Sequence, residues 1–185
     1  MIADVDPVAT IVVRGHPAPQ GSKKAFLNRH TGRIQQVEMS PRLPGWRDNV
    51  RQAAVGEILC SCRPDCRDLS PGFPLDEALV LTMVFTMPKP GSAPKSRKTW
   101  PDKMPDLSKL ARSTEDALQE AGVYSNDARI VDYRRLAKVF PNEDPDALGV
   151  PGVIVRVWRA ADVLLWHTPD PASTPDAPAL FPVQL

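Results

Sequence analysis

The chain has 185 residues, 42% of them hydrophobic and 24% charged, with a formal net charge of +1. That length suits one domain with a buried core and short extensions, and is cramped for two. Its longest apolar run, Ala78 to Met87, is about half a membrane span, Met1 to Asp6 carry no basic leader, and three cysteines cannot all pair. These features argue against a membrane protein, an exported protein and a disulfide scaffold. The 21 prolines stand well above the usual share of about 5% and predict several rigid, irregular connections.

In chain order, Val8 to Arg14 is short and β-branched and reads as a buried strand. His16 to Ser22 breaks it with proline and glycine. Lys23 to Leu27 and Ile34 to Glu38 read as two strands of a hairpin turning near Thr31-Gly32. Residues 45–58 read as a helix, with Pro44 at its start and Trp46, Val50, Ala53, Ala54 and Ile58 near one face. Residues 60–76 read as a polar loop holding all three cysteines, and Ala78 to Met87 as a strand buried on both faces.

Residues 88–105 form a long loop, and a structureless stretch of that length is usually functional or mobile. From Lys89 to Arg112 seven Lys/Arg stand against two Asp, a bias that suits a polyanionic partner. Trp100 lies within it and has the chemistry to stack on a base or ribose; the alternative is a solvated loop with a packed tryptophan. Residues 106–121 give the clearest helix, with Asp106 at the N-cap and Gly122 past the C-cap. Ser125 to Asp127 reads as a turn. Ile130 to Phe140 alternates as a strand, with Ile130 and Leu136 on one side and Tyr133 on the other. Asn142 to Pro151 reads as a loop and Gly152 to Arg159 as the last strand. The elements predict an α+β domain over residues 1–160, with a mixed sheet and two main helices, followed by a proline-rich tail over 161–185 without regular structure.

Three constellations could carry chemistry. Asp106 opens a helix, Asp116 lies roughly 15 Å further along it, and Asp127 follows in a turn. One ion cannot touch both Asp106 and Asp116, but a strand returning beside the helix start would carry Asp127 towards Asp106. Two carboxylates near a basic loop suit a hard cation such as Mg²⁺; an N-cap and a turn are also ordinary structural places for aspartate. Cys60, Cys62 and Cys66 resemble a partial zinc site, but no fourth ligand lies near in sequence, and reduced loop cysteines are the simpler reading. No nucleophile elbow, Walker A or dinucleotide-binding glycine pattern is present.

The stretch Met104-Pro105-Asp106-Leu107-Ser108-Lys109-Leu110-Ala111-Arg112, then Asp116-Ala117-Leu118, Ala121-Gly122-Val123-Tyr124 and Asn126-Asp127-Ala128-Arg129-Ile130-Val131, resembles the RusA family of Holliday-junction resolvases, common in phages and prophages. Pro17-Ala18-Pro19-Gln20-Gly21-Ser22-Lys23 and Trp46-Arg47 also resemble phage members. The resemblance implies a homodimeric, cytoplasmic endodeoxyribonuclease that resolves four-way DNA junctions by Mg²⁺-dependent paired phosphodiester hydrolysis, with Mn²⁺ as a substitute. It implies Asp106 and Asp127 as catalytic metal ligands. Ser108 falls where the family has its second helix-start aspartate, Arg112 where it has a catalytic lysine, and Asn126 in place of the first aspartate of a pair. Asp116 matches a family aspartate and is either structural or a substitute ligand, a role Glu115 and Asp132 could also fill. Lys23, Lys24, Lys95, Arg97, Lys98, Lys103 and Lys109 are the expected DNA-backbone contacts. The serine removes one negative charge from a divalent site: Ser108 could still coordinate the cation through water, and a catalytically impaired branched-DNA-binding protein of phage origin is the alternative. Arg112 keeps the charge for a phosphate but exchanges no proton near neutral pH.

Overall fold

A computed structural model describes residues 5–21, 23–27, 31–38, 40–60, 68–94 and 97–163, with strands 23–27 and 34–38 described by their backbone pairing. Cys62, Cys66, Lys95 and the tail beyond Val163 lie outside the described residues. The elements run β1 (Ala9–Arg14), β2 (Lys23–Leu27), β3 (Ile34–Glu38), α1 (Leu43–Ile58), β4 (Leu79–Thr86), α2 (Leu107–Glu120), β5 (Ile130–Val139), β6 (Gly152–Arg159) and α3 (Ala160–Val163). A 3-10 turn, Asp127–Arg129, leads into β5. No helix among the described residues is long and apolar enough to cross a membrane.

Four strands form one sheet in the order β1-β6-β4-β5. β4 pairs antiparallel with β6 and parallel with β5, so the sheet is mixed, as expected. β2 and β3 form a separate antiparallel hairpin, with Lys23 opposite Glu38 and Lys24 opposite Val37. Every residue of β4 is buried, because it is central in the sheet and covered on both faces. Its Leu79, Leu81, Met83 and Phe85 join Ile11, Val13, Val153, Val155 and Val157 in the main core beneath α1 and α2. The period of two along each strand puts these residues on one face. On the other face, Val80 packs with Trp158, Ala160 and Val163, where α3 caps the end of β6.

The two long helices are joined to the sheet and to each other. α1 buries Leu43, Trp46, Val50, Ala54 and Ile58, a stripe at helical spacing. α2 buries Leu110, Ala111, Ser113, Thr114, Ala117 and Leu118. Full burial of Leu110 and Leu118 stabilises the fold by about 1.5–3 kcal/mol each. Between the helices, Trp46 Nε1 donates to Thr114 Oγ1 at 3.3 Å. α2 stops in a glycine-dependent cap: Gly122 has φ +83°, its N–H reaches Gln119 O and that of Val123 reaches Leu118 O, both at 3.0 Å.

One strand departs from simple alternation. Ile130, Tyr133 and Leu136 all pack on the main core, although their spacing of three residues is wrong for a flat strand. Register shifts provide the reason. Leu79, Leu81 and Met83 face Ile130, Tyr133 and Leu136, because β5 gains a residue on β4 at each of two irregularities. The extra residues push Val131 outward, 56% exposed on the sheet edge.

Candidate functional site

α2 and β5 position the candidate carboxylates. Asp106 occupies the N-cap of α2 with extended backbone angles, yet its side chain makes no capping hydrogen bond. The carboxylate is about half exposed and pairs with Lys109 Nζ at 3.1 Å. Gln119, near the other end of α2, accepts the backbone N–H of Asp127 at 3.0 Å through Oε1. The helix rise puts Gln119 roughly 20 Å from Asp106 along the axis. The expected approach of Asp127 to Asp106 is therefore not what the fold delivers. The returning strand runs opposite to α2, so its start lies beside the helix end and its far end beside the helix start. It is Lys138 that arrives there, donating to the carbonyls of Lys103 (2.8 Å) and Pro105 (2.9 Å).

The turn holding Asp127 is well anchored without using its carboxylate. Asn126 Oδ1 accepts from Ala128 N at 2.8 Å and so caps the 3-10 turn. Asp76 accepts from Ser125 Oγ and, at 2.8 Å, from Arg129. The Ser125 bond, then Arg129, holds the Asp76 carboxyl below its usual range. Asp127 itself is exposed, and its carboxylate has neither an ion pair nor a hydrogen bond among the described residues.

Ser108, Arg112, Glu115 and Gln119 share one face of α2, at helical spacing. Ser108 and Arg112 are exposed; Glu115 is half-buried and accepts the phenol of Tyr133. Burial is the first cause holding the Glu115 carboxyl above its usual range, with Asp127 and Asp116 adding to it and Arg112 opposing. Burial and Glu115 together push the Tyr133 phenol far up. Glu115 is thus the carboxylate on the face of Arg112 and within electrostatic reach of Asp127. Asp116 is committed elsewhere, accepting Gln20 Nε2 at 2.5 Å and lying 3.8 Å from Arg47 Nη1. Asp132 is exposed on β5 and accepts the Tyr133 backbone N–H at 2.7 Å.

The basic residues divide. Arg97, Lys98 and Lys103 are exposed on the loop before α2, and Lys98 Nζ stands 4.6 Å from the ring centroid of Trp100. Lys109 is held by Asp106. Lys89, in the same basic block, pairs with Glu143 and is a structural clamp. The backbone of Lys23 and Lys24 lies in the separate hairpin. Sequence reasoning missed Arg42 and His16, which line a cleft beside this loop, and the Lys138 clamp; no local spacing marks them.

A small mixed-sheet α+β domain with accessible carboxylates on α2 and its following turn, beside a basic loop, has the parts of a nucleic-acid hydrolase. A family model described as endodeoxyribonuclease RusA matches residues 17–156, about three quarters of the chain. The chain belongs to the RusA endodeoxyribonuclease family. No curated protein matches it significantly.

Nucleases of this family generally depend on a divalent metal. The donor chemistry fits a hard cation: oxygen ligands only, and two aspartates with no capping role. Among the described residues, however, no group of three or more His, Cys, Asp or Glu is gathered closely enough to hold a metal ion.

Proposed function

We propose that the chain is a Mg²⁺-dependent endonuclease that resolves four-way DNA junctions by paired nicks, acting as a homodimer. The observation that carries this reading is that Asp106 makes no capping bond and is paired with Lys109 on a half-exposed surface, that the Asp127 carboxylate makes no bond among the described residues, and that α2 holds the two apart. A bound cation supplies an activated water and charge neutralisation at the phosphodiester. Asp106 and Asp127 are its proposed ligands, and Arg112 neutralises a phosphate oxygen without exchanging a proton. Arg97, Lys98 and Lys103, joined by Lys23, Lys24 and Lys95, hold the DNA backbone, which makes affinity strongly salt-dependent.

The length of α2 bears on how the ligands meet. Asp106 of one copy and Asp127 of the other would together hold the cation, and a twofold axis would then give two equivalent sites, as paired nicking requires. The test uses a labelled synthetic four-way junction, with linear duplex as the control. The parent cuts the junction only with Mg²⁺ or Mn²⁺. Asp106→Asn and Asp127→Asn each fail alone, and a mixture of the two regains single nicks, because one of the two shared sites in a mixed dimer is intact. Failure of the mixture alone refutes sharing; full activity of either variant refutes the metal assignment.

Ser108 favours a second reading, a branched-DNA-binding protein with an impaired metal site. It stands where the family has an aspartate, and it is exposed with no compensating carboxylate cluster among the described residues. Tight junction binding with no cleavage under Mg²⁺ or Mn²⁺ is its signature.

A further inference from the structure

A cleft of about 770 Å³ opens between the loop before α2, the end of β4 and the start of α1. Among the described residues its walls carry His16, Arg42, Arg97, Lys98 and Lys103 against a single carboxylate, Asp102. Met87, Phe140 and several prolines give it an apolar lining, and Trp100 stands on its wall, 62% exposed. No ion pair engages Arg42, Arg97, Lys98 or Lys103 among the described residues. Pro105, the residue before Asp106, also lines the cleft.

The cleft is framed rather than loose. Glu143 accepts from Lys89 and, at 3.1 Å, from the Thr99 backbone N–H, bonds that hold its carboxyl below the usual range. Lys138 holds the carbonyls of Lys103 and Pro105. These two clamps fix both ends of the loop, so the walls are in place before anything binds, which lowers the ordering cost of binding.

We propose that this cleft takes one unpaired nucleotide of single-stranded DNA, its base against Trp100 and its flanking phosphates on Arg42, Arg97 and Lys103. The volume lies in the range of small-ligand pockets, about 300–1,000 Å³, and a paired helix is too bulky to enter it. An aromatic ring with Lys98 over one face, beside Arg42, Arg97 and Lys103 without ion pairs among the described residues, is the chemistry that recognises a base with its phosphates. A largely apolar floor with one carboxylate does not suit a free divalent ion or an acidic peptide. A base seated here places its backbone within a residue of Asp106, so the cleft selects which phosphate is presented for cleavage. That last step rests on the endonuclease reading; the binding step does not.

The experiment measures fluorescence anisotropy of a labelled eight-nucleotide oligo-dT with the full chain, and tryptophan quenching in parallel. The parent binds the oligonucleotide with quenching, and the part of it that Trp100→Leu removes reports Trp100; Trp46 and Trp158 are buried, and Trp166 lies outside the described residues. Trp100→Leu weakens binding by about tenfold or more, and Trp100→Phe, which keeps a ring, stays within about threefold of the parent. Arg42→Ala lowers the slope of log affinity against log salt by about 0.7. Unchanged oligonucleotide affinity in Trp100→Leu overturns the proposal, and Mg²⁺-dependent junction cutting by the parent then shows that the endonuclease reading survives it. Trp100-dependent binding by a parent that cuts no junction supports the cleft and removes the endonuclease reading instead.

Discussion

Replacing Asp106 by asparagine separates the chemistry from the fold. The carboxylate makes no capping bond, and its partner is Lys109 at 3.1 Å on a half-exposed surface. An exposed pair of this kind contributes about 0–1 kcal/mol. Removing a negative charge from the start of a helix costs about 0.3–1 kcal/mol, and asparagine caps a helix as well as aspartate does. The sum is about 1 kcal/mol, a fall in Tm of about 2–4 °C for a chain of this size. Cleavage responds on another scale. Loss of a metal ligand is expected to slow junction cutting by about a thousandfold, which is about 4 kcal/mol of transition-state stabilisation. Thermal unfolding and single-turnover cleavage, run on the same preparation, read both quantities. A variant that cuts within about tenfold of the parent refutes the metal role. A Tm loss beyond about 8 °C refutes the argument that the fold does not use this carboxylate.

Three further outcomes follow from the geometry. Glu115 has a folded-state pKa raised by burial above its usual 4.5, so the stability it contributes is present below that value and lost as pH rises through the folded value. Glu115→Gln keeps the acceptor for Tyr133 and is expected to melt higher than the parent at pH 7 and level with it at pH 4; a lower Tm at pH 7 contradicts the assignment. Gly152→Ala places a Cβ 2.1 Å from Val13 O and 2.7 Å from Leu148 Cδ1, parting β1 from β6. Denaturant titration should show a loss of about 3 kcal/mol, and a change under about 1 kcal/mol means the strands have room that the structure denies. Lys138→Met releases the Lys103 and Pro105 carbonyls. Trypsin should then cut at Arg97, Lys98 and Lys103 about tenfold faster while cutting within α1, α2 and the four-stranded sheet stays unchanged; an unchanged rate at the loop means Lys138 does not hold it.

Much of the architecture was legible because it rests on local periodicity. The stripes of α1 and α2, the cap at Gly122 and the doubly buried β4 follow from patterns within a few residues of one another. β5 was found as a strand but its faces were misassigned. Strict alternation put Tyr133 opposite Ile130 and Leu136, and the two register shifts that unite them depend on its pairing with β4. The four-residue α3 was missed, because its support is the packing of Ala160 and Val163 against Val80, a tertiary contact. The candidate site divides in the same way. That Asp106 begins α2 and Asp127 lies in the turn after it could be read from capping and turn residues. That they lie by opposite ends of α2 could not, since it depends on the direction in which β5 returns. The two charges of the Lys89–Glu143 clamp are 54 residues apart, beyond any local signal.

The two clamps on the loop before α2 also bear on how members of such a family diverge. Glu143 and Lys138 grip it mainly through a lysine ammonium and backbone atoms near its ends. Most side chains between those posts carry none of the core, so they can change freely while the frame persists. The segment is a frame with exchangeable contents: under the proposed cleft, a different run of residues between Lys89 and Lys103 would change what the cleft takes up without a new fold having to be found.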